Sequence, residues 1–339
     1  MSTPTTMPAL IGRAGSDWTL REVDVPTPAA GQALVRVRAA GVNRADLAML
    51  DGGYLTSLDN PVDYPAGLEL AGEVAAVGEG VDGLALGTRV MGTTLGAFAT
   101  YAAVNHRHLL PVPDGVEWVV AGGLPVGLTT EHDALVTQAG FTSGANVLIV
   151  GATSGVGMIG VRMAKALGAG TVIATTTSAA KVPALRDAGA DLVVDTRAED
   201  LTAAVLAATD GVGADIALDH VGGDLFAQLL TATRPRGTVV NIGRVGGSRS
   251  TIDLDTLSFR RMRVLGTTFS TRSDDERAEV AAALEADVLP AVADGRIRPV
   301  IDEVIPLHEA KRAADRLRAN DVVGKLVIEM PADPTEEAR

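Results

Sequence analysis

Asn146-Val147-Leu148-Ile149-Val150-Gly151-Ala152-Thr153-Ser154-Gly155-Val156-Gly157 is the stretch on which the fold turns. Its first five residues form an apolar run of strand length, and its last seven are small residues that let a backbone turn tightly. Beyond it, Val156, Ile159, Gly160, Met163, Ala164 and Leu167 recur at helical spacing on one face until Gly168 stops the pattern. A strand, a glycine-rich turn and a helix in that order place free amides and a positive helix end where a pyrophosphate can sit. The strict G-x-G-x-x-G spelling is absent, because Ala152 and Ser154 hold its first two glycine positions and only Gly157 remains. Position carries more weight here than spelling, so the turn reads as a dinucleotide seat.

Working outward, further apolar runs separated by helical patterns occur at Thr171 to Thr175, Leu192 to Asp195, Ile216 to Asp219 and Thr238 to Ile242. That alternation predicts a parallel α/β unit. A further strand is expected at Arg263 to Thr267, followed by a helix over Glu276 to Asp287, a helix over Leu307 to Ala319 and a strand at Lys325 to Glu329. The first 120 or so residues have a different texture. Short alternating strands, Ala33 to Arg38, Ala71 to Val77 and Thr88 to Met91, are punctuated by glycine and proline. With 339 residues the chain exceeds the roughly 250–300 at which single cores stop growing, so two domains are expected.

An acidic residue about 20 positions after the glycines would select a free ribose hydroxyl. None is present. The second strand is followed instead by Thr175-Thr176-Thr177-Ser178-Ala179-Ala180-Lys181, whose hydroxyls and cation suit a 2′-phosphate and favour NADP over NAD. The plainer alternative makes Ser178 a helix cap and Lys181 a solvated helix residue.

Composition removes other classes. The chain has no cysteine, which excludes disulfide scaffolds, thiolate metal sites and a cysteine nucleophile. Its net charge of -13 disfavours nucleic acid and anionic lipid as partners. His106 and His108 are expected on one strand face, but no third metal ligand is evident; His132, His220 and His308 are scattered and read as packing or surface residues. Residues Met1 to Arg13 lack the pattern of a signal peptide, and no apolar run of about 20 residues suggests a membrane span, so a cytoplasmic protein is expected. Pro331 to Arg339 reads as a loose acidic tail.

Taken together, these blocks resemble the medium-chain dehydrogenase/reductase superfamily, in particular its zinc-free, zeta-crystallin-like quinone oxidoreductase branch. Ala40-Gly41-Val42-Asn43-Arg44-Ala45-Asp46 is similar to that branch's A-G-V-N-x-x-D, and Gly67 to Val74 to its G-x-E-x-x-G-x-V. Ala121 to Thr130, Asp219 to Gly223 and Gly295 to Pro299 resemble further family blocks, so the likeness spans roughly residues 20–330. It implies a GroES-like β-barrel catalytic domain (1–124 and 269–339) with a Rossmann domain inserted at 125–268. NADPH would lie in the cleft, with Ser154, Gly155, Val156 and Gly157 at the pyrophosphate and Thr177, Ser178 and Lys181 at the 2′-phosphate. Thr129, Val221, Asn241, Ile242, Gly243, Phe269 and Ser270 would complete the cofactor site. Where the family often has tyrosine this chain has Thr196, a departure for which Arg197 is expected to compensate on the adenine side.

The activity this likeness implies is metal-free transfer of hydride from NADPH to a quinone or to the conjugated C=C of an α,β-unsaturated carbonyl. Asn43 and Tyr54 occupy positions of the family's active cleft; Asn43 would bond the cofactor or the carbonyl, and Tyr54 would position substrate or relay a proton. Their plainer readings are a turn residue and a half-buried aromatic, and Glu69 is expected to order the cleft. Two alternatives stay open: an enoyl-thioester reductase, and a non-catalytic NADPH-binding structural or sensor protein. A homodimer is expected through the apolar edge strand Arg263 to Thr267.

Overall fold

The computed structural model describes residues 3–332, so the expected loose tail lies outside the described residues from 333 onward. Two compact units form. Among the described residues the first comprises 3–126, 272–289 and 299–332, and the second 127–271 and 290–298. The expected limits at 125 and 268 differ from these by two or three residues, and 290–298 belongs with the second unit.

The first unit opens with β1 (Thr6–Arg13), β2 (Thr19–Asp24) and β3 (Gln32–Val42), the short helix α1 (Arg44–Leu50), and then β4 (Asp63–Pro65) and β5 (Glu69–Val77). It continues through β6 (Arg89–Thr93), β7 (Tyr101–Asn105), β8 (Leu109–Pro111) and α2 (Trp118–Gly122). β3 is the organiser: it pairs antiparallel with β5 and β7, and eight of its eleven residues are buried, as suits a central strand. The strand around Thr88 to Met91 runs through Gly92 to Thr93 rather than ending there. His106 and His108 do not share a strand face. They lie in a 3-10 turn, His106–His108, where two consecutive helical steps point their rings apart; His106 Nδ1 meets the Gly31 carbonyl at 2.7 Å and His108 Nε2 the Asp274 carbonyl at 3.0 Å.

Helix α3 (Pro125–His132) leads into the second unit and widens into a π-helix over Asp133–Gln138. There follow β9 (Val147–Val150), α4 (Gly155–Ala166), β10 (Val172–Thr176), α5 (Val182–Asp187), β11 (Leu192–Asp195) and α6 (Leu201–Ala208). The second half repeats the pattern with β12 (Ala214–Asp219), α7 (Leu225–Ala232), β13 (Thr233–Asn241), α8 (Leu254–Phe259) and β14 (Arg263–Gly266). All six strands are parallel, in the order β11-β10-β9-β12-β13-β14. This is the doubly wound arrangement, with the order reversing between β9 and β12. The four residues of β9 are wholly buried, which is why their sequence is continuously apolar.

The chain then adds α9 (Asp274–Asp287) and α10 (Leu289–Ala293) before β15 (Ile301–Pro306), α11 (Lys311–Ala319) and β16 (Lys325–Glu329). β16 joins β3, so both ends of the chain share one sheet of order β15-β16-β3-β5-β6-β8. The helix expected from Leu307 is split into a 3-10 turn, Leu307–Glu309, and α11 proper. A core of Leu10, Val35, Leu50, Leu70, Phe98 and Ile328 fills this unit, with Trp18 packed edge-on to Phe98 at 5.3 Å between ring centres. Among the described residues no helix is long and apolar enough to cross a membrane.

Candidate functional site

In the Rossmann unit the expected cofactor residues gather at the carboxyl ends of β9, β10, β12 and β13. Gly151 leaves β9 with φ +75°, and its amide donates to Thr175 Oγ1 at 3.0 Å, which ties the turn to the neighbouring strand. Ser154 caps α4: its hydroxyl accepts from the Gly157 amide at 3.0 Å and donates to the Gly151 carbonyl at 3.1 Å. A side chain at 157 would bring its Cβ to 2.7 Å from the Ala152 Cα, so glycine is needed there for helix and turn to pack. The amides of Gly155 and Val156 belong to the first helical turn, which by its geometry leaves them without intrahelical partners. That cradle suits a pyrophosphate.

After β10, Thr177 is exposed, and Ser178 begins the 3-10 turn Ala179–Lys181 without capping it through its side chain. The cap role available to Ser178 is therefore not the one it plays. Lys181 is half-buried at the start of α5. Thr196 closes on the same strand end, its amide donating to the Thr176 carbonyl at 3.0 Å, and Arg197 beside it is exposed. These residues share the β10–β11 end of the sheet.

Across the reversal, buried Asp219 organises the second half. Its carboxylate accepts from the amides of Val221 and Gly222 at 2.9 Å each and from Asn241 Nδ2 at 2.9 Å, while its carbonyl accepts from Ile242 and Gly243 at 2.8 and 3.0 Å. Val221, Asn241, Ile242 and Gly243 are thus brought together. Sequence reasoning quoted Asp219 within a block but assigned it no role; its place as the last residue of β12 was the available signal. Phe269 and Ser270 lie in the loop after β14, where the hydroxyls of Thr268 and Ser270 are 2.9 Å apart. Thr129 is buried on α3.

In the GroES-like unit, Asn43 caps α1 inside a buried polar cluster. Its Nδ2 donates to Glu69 Oε1 at 2.9 Å, and its Oδ1 accepts from Lys325 Nζ at 2.6 Å. Lys325 also pairs with Glu69, whose other oxygen accepts from the Val126 amide at 2.7 Å. Both polar ends of Asn43 are therefore held by protein. Sequence reasoning placed Lys325 on a strand but assigned it no role, because it sits 282 positions from Asn43. Asp46, wholly buried on α1, accepts from the Asn43 amide at 2.8 Å. Burial, reinforced by the Glu69 charge and opposed by that bond and by Lys325, pushes its carboxyl up to about 7. Tyr54 is 45% exposed, in the loop after α1, with φ +64°. A bulky residue in the left-handed region is uncommon and costs of order 1–3 kcal/mol, a form of strain that clusters at functional positions. Exposed Leu55, Leu58 and Val62 share its loop. Among the described residues no three histidine, aspartate or glutamate side chains are grouped to hold a metal ion.

Residues 155–289 match the family described as zinc-binding dehydrogenase, and residues 29–114 the alcohol dehydrogenase GroES-like domain. An alcohol dehydrogenase superfamily protein from Novosphingobium aromaticivorans has a similar solved structure: TM-score 0.85 and 30% identity, covering 96% of this chain and all of that one. A mycobacterial protein solved in complex with NADPH superposes with a TM-score of 0.82 at 28% identity, over 95% of this chain and 99% of that one. Among curated proteins, erythronolide synthase EryA2 of Saccharopolyspora erythraea is 44% identical over 43% of this chain and 4% of its own length. The quinone oxidoreductase of Lama guanicoe is 33% identical over 43% of this chain and 44% of its own. The chain spans less than half the length of these curated relatives.

Proposed function

Because the chain belongs to the medium-chain dehydrogenase/reductase superfamily, we propose that it is an oxidoreductase moving hydride from NADPH to a quinone or to the conjugated C=C of an α,β-unsaturated carbonyl. The observation that carries this reading is the Rossmann unit's switch point, where a capped, small-residue turn faces a loop pinned by Asp219 and no acidic residue follows β10. The name of the quinone oxidoreductase relative and the NADPH complex of the mycobacterial neighbour support the same acceptor and cofactor.

NADPH fits the residues present: first-turn amides at Gly155 and Val156 for the pyrophosphate, hydroxyls at Thr177 and Ser178 and the Lys181 cation for the 2′-phosphate. When bound, the cofactor supplies hydride from its nicotinamide ring. The rest of the work falls to the chain. Asp219 holds Val221, Asn241 and Gly243 in place at the carboxyl ends of β12 and β13. The Tyr54 hydroxyl is the donor proposed for the carbonyl oxygen on which charge develops, and Asn43, bonded at both ends, shapes the backbone rather than contacting the acceptor. No cysteine is available for a catalytic zinc, so acceptors whose charge delocalises into a conjugated system suit this chain better than simple alcohols.

A substrate panel tests the proposal. Purified protein is expected to oxidise NADPH with a 1,2- or 1,4-quinone or an enone, with and without a strong chelator, and to work less well with NADH. No acceptor exceeding background would refute it, and activity confined to enoyl thioesters would move the assignment to the enoyl-thioester reductase reading.

A further inference from the structure

The Rossmann unit buries an ion pair that none of its nucleotide motifs calls for. Glu131, near the end of α3, is fully buried, and His220, the residue directly after β12, is 9% exposed; His220 Nε2 stands 2.8 Å from Glu131 Oε1. Burial works to lower the imidazolium pKa, but Glu131 and then Asp219 outweigh it, and the His220 pKa lies above its ordinary value. A buried pair of this kind is a poor source of stability, since apolar residues of similar volume commonly do as well. Its location offers another use.

β9 and β12 are the neighbours between which the strand order reverses, and a dinucleotide crosses such a sheet at that point. His220 sits on the crossing. Its amide donates to the carbonyl of Val150, the last residue of β9, at 3.2 Å. A Cβ built on Gly151 would lie 3.3 Å from the His220 Cβ, and one built on Gly243 would lie 2.3 Å from its carbonyl oxygen. Glu131 presses from the opposite side: a Cβ on Gly160 of α4 would come within 2.4 Å of its Oε2. The pair is therefore wedged between the helix whose first turn forms the pyrophosphate cradle and the loop that carries Val221 and Gly222. Directly after Glu131 and His132 the helix widens into its π-turn, a feature frequent at functional sites.

We propose that Glu131 and His220 are positioning residues which fix the spacing between the pyrophosphate turn and the Val221–Gly222 loop, and so seat the nicotinamide half of NADPH. The proposal rests on reading this unit as an NADPH site. It predicts that the pair matters to one half of the cofactor only.

The test compares two ligands on the full chain by titration calorimetry: NADPH, and adenosine 2′,5′-bisphosphate, which carries the adenosine and 2′-phosphate without the nicotinamide. Glu131→Gln is expected to weaken NADPH about tenfold while leaving the bisphosphate within about twofold, a difference of about 1.4 kcal/mol confined to one ligand. The double variant Glu131→Met/His220→Leu removes the pair without leaving one charge unpartnered. It is expected to show the same selective loss with an unchanged melting temperature. Wild-type affinity for both ligands in both variants, or an equal loss for the two ligands, would overturn the positioning role while leaving the cofactor assignment intact. Binding of neither ligand by the wild type would instead overturn the cofactor reading, and this inference with it.

Discussion

Lys181 stands half-buried where the 3-10 turn after β10 passes into α5, beside a Ser178 whose side chain does not cap that turn. A charge-assisted bond to a 2′-phosphate contributes about 1.5–3 kcal/mol, so Lys181→Ala is expected to raise the KM for NADPH at least about tenfold and to leave that for NADH nearly unchanged. Equal effects in steady-state kinetics on the two cofactors would remove Lys181 from the phosphate site. Asp46 makes a second prediction, about stability. Its carboxyl, raised by burial to about 7, stays protonated in the folded chain over a range in which the unfolded chain, near pKa 4, has released the proton. The folded state then binds more protons than the unfolded one, so this group's contribution falls as pH rises from about 4 and levels off above about 7. Asp46→Asn, neutral throughout, is expected to lose less stability between pH 5 and pH 8 than the wild type in urea titrations; parallel slopes would show that Asp46 ionises normally. Neither the raised pKa nor its cause was legible in the sequence. The A-G-V-N-x-x-D block displayed Asn43 and Asp46, but the partners that decide their chemistry, Glu69 and Lys325, arrive from strands 26 and 282 residues away from Asn43. Glu131 was hidden for the same reason: its partner His220 lies on the far side of the sheet's crossover, and a lone histidine in a sequence carries no sign of burial.

Elements were read more securely where one face or both were buried. β11 and β16 lie where they were expected, Leu192–Asp195 and Lys325–Glu329, because the apolar residues at their centres, Val193–Val194 and Leu326–Ile328, are buried on both faces. α4 was equally clear, since its amphipathic spacing and Gly168 stop agree with one another, and the Ser154 cap that the structure adds fixes its start. Short elements escaped. The 3-10 turn at His106–His108 lies between β7 and β8 and offers no periodicity, so its histidines were assigned a strand face they do not have. The start of β13 was missed as well: Thr233 to Gly237 carries two arginines and a proline, and Thr233 alone of them pairs with β12, opposite Ala214, before a register shift that sequence alternation does not encode. The break after Leu307 has a local cause. Leu307 and Ala310 are buried on either side of exposed His308 and Glu309, a three-residue spacing that suits a 3-10 turn before α11 takes up its own period.

At the scale of the molecule, the remaining question is what covers β14, the last strand of the six-stranded sheet. Among the described residues it pairs with β13 alone, and Val264 on it is 38% exposed, with Phe259 of the preceding helix 82% exposed. Charged arginines can guard such an edge against association. Here, however, Arg260 spends its guanidinium on the Thr233 carbonyl at 2.7 Å, and Arg263 donates to the Gln138 carbonyl at 3.2 Å. Of the three arginines that could guard this edge, Arg260, Arg261 and Arg263, two are thus turned onto the chain's own backbone. We therefore expect a second copy to pair along β14, antiparallel about a two-fold axis, which satisfies the unpaired edge groups of both chains and covers the apolar patch. The net charge of -13 on each chain opposes this association and is screened by salt, so the dimer is expected to tighten as ionic strength rises. Light scattering at micromolar concentration is expected to give twice the 34.7 kDa chain mass, and Leu265→Pro, which removes a ladder amide and strains the strand, is expected to return it to one. A wild-type mass of one chain at both low and moderate salt would show that the edge is left bare.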